Sequence, residues 1–95
     1  MTNHVIVDTK VRYFTTIAEL ETFLQTVPTG ALTMIQLTTS VMSSLGLATG
    51  YTGFGVMVRN STNQGDMMII SITAATQWFV RFSNGAVTVK IQKAL

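Results

Sequence analysis

Acid–base chemistry near neutral pH has little to draw on in this sequence: the carboxylates of Asp8, Glu19, Glu21 and Asp66, the imidazole of His4, and no cysteine. Catalysis by paired carboxylates needs both groups converging on one cleft. Glu19 is committed elsewhere. Thr16-Ile17-Ala18-Glu19 has the spacing of a capping box, in which the threonine accepts from a backbone N–H and the glutamate reaches back to the N-cap N–H. Glu21 reads as an exposed helix residue and Asp66 as the end of a turn. His4 stands near the terminus with neither a second histidine nor a thiol to share a metal or complete a triad. The reading is therefore of a non-enzyme, with no catalytic, metal-binding or cofactor-binding residues.

Four other groupings are candidates for binding. Asn60-Ser61-Thr62 fits a glycosylation acceptor but reads better as turn chemistry. Gly46, Gly50, Gly53 and Gly55 do not follow a strand and open a helix, as a phosphate-cradling loop must. Phe79, Arg81 and Lys90 fall on one face of an expected hairpin, where aromatic and cationic side chains suit sugar stacking, a subunit contact or plain packing. Tyr51 and Phe54, among glycines, suit a glycan-reading loop tip. The candidate ligand or subunit contacts are thus Tyr51, Phe54, Phe79, Arg81 and Lys90.

The elements that must position them are mostly strands. Asn84-Gly85 lies between two alternating apolar runs, the strongest short hairpin signal, because a type I′ turn needs φ > 0 at both central residues. A two-residue loop sets Phe82 opposite Val87, Arg81 opposite Thr88, Val80 opposite Val89, Phe79 opposite Lys90 and Trp78 opposite Ile91. That register buries Trp78, Val80, Phe82, Val87, Val89 and Ile91 together. Upstream, Met67 to Thr73 supplies a strand with Met68, Ile70 and Ile72 on one face, and Ser61 to Asp66 a polar hairpin loop. Phe54 to Asn60 is another strand.

The capping box predicts one helix over about 16–26, with Ile17, Leu20, Leu24 and Val27 on its apolar face, ended by Pro28. Ala31 to Thr38 reads as a strand. Its adjacent Met34 and Ile35 predict burial on both faces. Ser40 to Gly46 suits a single helical turn capped by Ser40. Residues 1–14 are a leading arm or a first strand. The expected fold is one mainly-β domain over 1–95, α+β by a strict count: an antiparallel meander or small β-sandwich with an N-terminal helix packed on it.

Composition narrows the partners. The chain is 47% hydrophobic but only 11% charged, well below the roughly 25% usual in soluble domains, which suits a particle-borne protein or an oligomer. Six Lys+Arg against four Asp+Glu is too thin for a nucleic-acid surface. No apolar run approaches the roughly 20 residues that cross a bilayer, so no membrane partner is expected. Met1-Thr2-Asn3-His4 does not begin a secretory signal. The expectation is release by lysis or on a particle, or that Met1 opens an excerpt of a longer chain. Second strand faces carrying Met57, Met67, Ile69 and Phe79 are expected to leave an apolar patch that drives self-association.

Ser44-Leu45-Gly46-Leu47, a Gly-rich loop and Phe54-Gly55-Val56-Met57-Val58-Arg59 together resemble the middle of the knob or collar domains of phage tail fibres and pyocin fibres. Met68 to Ile72, Trp78 to Phe82, Asn84-Gly85 and the closing Gln92-Lys93-Ala94-Leu95 are similar to the ending of those domains. Val87 and Ile91 stand where that family often carries tryptophans, and no site residue is carried over. The resemblance covers about Leu45–Leu95. It implies a non-enzymatic virion fibre domain, structural or receptor-binding, commonly a homotrimer, with a host cell-surface glycan as a further partner. The alternative is a stand-alone carbohydrate-binding module built on Tyr51, Phe54 and Trp78.

Overall fold

The computed structural model describes residues 7–95. Its most local feature follows from the capping box. Helix α1 runs Ile17–Thr26 with Thr16 as N-cap in extended conformation. Thr16 Oγ1 accepts from the Glu19 N–H at 3.2 Å, and Glu19 Oε1 accepts from the N–H groups of Thr16 (3.0 Å) and Thr15 (2.7 Å). At the other end the Val27 N–H still donates to Phe23 O, and Pro28 stops the helix. Leu20 and Leu24 are buried and Ile17 packs beside them, as the 3.6-residue spacing predicts.

This helix is the crossover between two parallel strands, β1 (Val7–Phe14) and β2 (Leu32–Leu37), which pair directly. The remaining strands, β3 (Gly53–Ser61), β4 (Gln64–Ser71), β5 (Thr76–Ser83) and β6 (Ala86–Ala94), form an antiparallel meander joined to β2. Strand order in the sheet is sequence order, β1 to β6. A second helix, α2 (Thr39–Ser44), bridges β2 and β3. Its N-cap is Thr38, whose Oγ1 accepts from Val41 N, rather than Ser40. Gly46 follows it at φ 73°, the left-handed conformation that ends many helices.

The fold is mainly β, but it is one open mixed sheet with helices on one side, not a sandwich. Every strand finds its partner within a single ladder, so none is left to make a second layer. The core lies between sheet and helices: Leu20, Leu24, Val41, Met42, Leu45 and Leu47 pack on Ile35, Leu37, Met57, Met67, Ile69, Trp78, Val80 and Phe82. Met57, Met67 and Ile69 therefore belong to this core, not to an exposed second face. β2 alternates, with Thr33, Ile35 and Leu37 buried but Met34 and Gln36 exposed, so within one chain it is not buried on both faces.

Two hairpins differ from expectation. The expected six-residue loop from Ser61 to Asp66 is a turn at Thr62-Asn63 alone, with Asn63 at φ 55°. Strand pairing continues through its polar residues because they bond one another. Asn60 Nδ2 donates to Asp66 Oδ2 at 2.8 Å, and Gln64 Nε2 to Asn60 Oδ1 at 3.0 Å.

In the last hairpin Asn84 (φ 50°) and Gly85 (φ 84°) have the two positive φ angles that a type I′ turn requires, and Phe82 faces Val87 as expected. The register then slips by one. Thr88 is extra, and Arg81 pairs with Val89, Val80 with Lys90, Phe79 with Ile91 and Trp78 with Gln92. One inserted residue reverses the side-chain parity of everything beyond it. Val89 and Ile91 consequently leave the core face and stand 44% and 52% exposed. In exchange Gln92 Oε1 accepts from the buried Trp78 indole N–H at 3.2 Å, and Lys90 Nζ donates to Gly46 O at 2.9 Å.

Candidate functional site

The face of the sheet away from the helices is covered by no described element. Its side chains follow from the pairings, since residues directly opposite share a face. One row crosses all six strands: Val11, Met34, Val56, Met68, Phe79 and Ile91. All six are apolar. A flanking row holds Tyr13, Gln36, Phe54, Ile70, Gln77 and Lys93. On the other side run Leu32, Val58, Asp66, Arg81 and Val89. Val11, Tyr13, Met34, Phe54, Val89 and Ile91 are exposed, while Val56, Val58, Met68, Ile70 and Phe79 are half-buried by their neighbours. Between Val56, Val58, Met68, Phe79 and Val89 the face forms a shallow depression of about 600 Å³.

Asp66 and Arg81 border that depression as a bidentate pair. Nε donates to Oδ1 at 2.8 Å and Nη2 to Oδ2 at 3.0 Å, with Asn60 also donating to Oδ2. Hydrogen bonding from Arg81 lowers the Asp66 pKa against the opposing effect of partial burial, and the same bond raises that of Arg81. The two charges cancel on the face itself.

Of the residues singled out from the sequence, the structure brings Phe54, Phe79 and Arg81 together on this face. Tyr51 lies outside it, exposed in the loop between α2 and β3. Lys90 is on the opposite face, moved there by the extra Thr88, so the expected Phe79/Arg81/Lys90 grouping does not form. Trp78 is in the core, 1% exposed. Among the carboxylates, Glu19 is held below its ordinary pKa by its hydrogen bonds from Thr15 and then Thr16. Glu21 lies against the Asn84-Gly85 turn beside a small polar hollow. The Asp8 side chain and the whole of His4 lie outside what is described. Among the described residues no three His, Cys, Asp or Glu cluster as metal ligands would, and no helix is long and apolar enough to cross a membrane.

Val11, Tyr13, Met34, Val56 and Met68 were not singled out by their chemistry. For all but Val11, which stands between Lys10 and Arg12, the signal is adjacency: Tyr13-Phe14, Met34-Ile35, Val56-Met57, Met67-Met68, Ile69-Ile70 and Trp78-Phe79 are apolar neighbours within strands, which puts apolar side chains on both faces.

No family model matches the sequence, and neither a curated protein nor a solved structure gives a significant match.

Proposed function

We propose that the chain is a non-enzymatic domain of a bacteriophage virion fibre, structural or receptor-binding, that works as a homo-oligomer. The observation that carries this reading is the open sheet face: a row of six apolar side chains, three exposed and three half-buried only by their neighbours, on the side that no described element covers, while the opposite face carries the helices and the core. A face of that kind is characteristic of an interaction surface rather than a finished monomer. The fibre assignment comes from the resemblance of Leu45–Leu95 to fibre knob and collar domains. Glu19 and Asp66 already hold a helix end and a strand pair together, which leaves them little scope as catalysts. A carbohydrate-binding module is the weaker reading, because Trp78 is buried and Tyr51 stands apart from Phe54's face.

Immunogold electron microscopy tests the proposal. Antibody raised against the purified domain is expected to decorate the fibres of phage particles released from the source host. Particles that bind no antibody, while the domain is found free in the lysate, would remove the virion assignment.

A further inference from the structure

The structure assigns self-association to one surface: copies of this chain join through the open sheet face centred on Met34, Val56, Met68 and Phe79, not through the sheet edges or the helical layer. The inference rests on the homo-oligomer reading above and specifies where it happens.

Three observations choose a second copy as the occupant. The first is area. Six strands about 4.8 Å apart and three side-chain rows about 6.8 Å apart give a footprint of about 600 Å² before surface relief is counted. Twelve of the seventeen residues in those rows are apolar, and the footprint is near the roughly 800 Å² per partner of a standard stable interface.

The second is charge. Apart from Lys93 at its margin, the charges on the described face are Asp66 and Arg81, and each already answers the other. With Lys93 left exposed at the rim, burying the rest of the face strands no lone charge, the usual obstacle to dry association. A self-neutral surface also meets its own copy without like charges opposing.

The third is the contrast with the edges. Lys10 and Arg12 lie on β1, and Lys90 and Lys93 on β6, so four of the chain's six cationic side chains sit on the two edge strands. Charged edge strands discourage strand-to-strand addition. The paired apolar residues within β2 to β5 are the pattern of strands covered on both sides. One cover is the helical layer, and the second copy supplies the other.

The chain has no cysteine, so single introduced thiols report directly on the surface. Met34→Cys on the open face and Ser43→Cys on α2 would be labelled with a maleimide at micromolar protein, alongside sedimentation equilibrium of the wild type. The expected result is an oligomer in which Met34→Cys reacts at least ~100-fold more slowly than Ser43→Cys. Met34→Glu and Ile91→Glu, each placing a lone charge in the interface, should weaken association by ~100-fold or more. Both positions are exposed in the single chain, and circular dichroism would check that the fold persists; the thiol pair decides if it does not. An oligomer whose Met34→Cys reacts as fast as Ser43→Cys overturns this surface but leaves the oligomer reading standing. A wild-type monomer overturns both, including one with a protected thiol, since its own chain would then be the cover.

Discussion

Asp66 keeps its charge beside an apolar depression because Arg81 addresses both of its oxygens and Asn60 adds a third donor. Its pKa is lowered on folding, so the pair contributes stability above the unfolded value, near the ordinary 3.8, and loses it as pH falls through the folded value. Both side chains are nearly half exposed, which keeps the single-chain contribution small. Asp66→Asn should therefore flatten the acid limb of the stability-versus-pH curve below about pH 4, while changing neutral stability by less than about 1 kcal/mol. Urea melts from pH 2 to pH 7 would check this, and an unchanged acid limb would show that the pair does not act in solution. Thr33 is the converse case. Its hydroxyl is fully buried and has no partner among the described residues. Thr33→Val replaces an unanswered donor with a methyl of the same shape, and thermal melts should show a gain of about 1 kcal/mol.

Elements were legible where their signals were local. α1 could be read to within one residue, because the Thr16–Glu19 spacing and Pro28 mark both ends within the segment itself. The Asn84-Gly85 turn was equally plain. The β6 parity was not, because nothing in Ala86-Val87-Thr88-Val89 marks Thr88 as the extra residue. Its placement is decided by distant partners, the Trp78 indole and Gly46 O. The parallel pairing of β1 with β2 is likewise non-local. One of the five site residues, Lys90, was put on the wrong face by the register slip, while Tyr51 is exposed in a loop as read but apart from the face that carries Phe54. Gly55 shows what tight pairing demands of a single position. A Cβ there would run into the Met68 carbonyl oxygen, which is backbone and cannot swing aside. A Cβ at Gly53 would meet the Met42 Sδ at 2.6 Å and the Ile69 side chain at 2.9 Å, groups with more freedom to move. Gly55→Ala should cost about 3 kcal/mol or more, and Gly53→Ala distinctly less. Equal losses in denaturant melts would contradict the close β3–β4 approach at Gly55.

At the scale of the whole molecule, one sheet has its helices on one side and an apolar row on the other, and in the oligomer proposed above the number of copies follows from how that row is closed. Two sheets stacked face to face lie about 10 Å apart, leaving each side chain about 5 Å of depth. Three sheets forming the sides of a triangular prism, each about 24 Å between its outer strands, put the face centres at least about 7 Å from the axis, with the charged outer strands β1 and β6 standing unpaired towards the corners. The strands nearest that centre are β3 and β4, and Phe54, Ile70 and Met68 on them are long enough to fill the greater depth. Two-fold symmetry is the commoner arrangement in general, so the prism rests on this depth together with the fibre resemblance. The prediction is a three-chain species at micromolar concentration that persists in about 1 M salt. Apolar burial drives it, and its main ion pair is formed within each chain, so screening removes little. Sedimentation equilibrium at low and high salt decides. Dissociation by salt would mean that charged groups, not the apolar row, hold the copies together. A two-chain species would keep the burial of the face and discard the prism, and with it the number that ties this domain to a fibre.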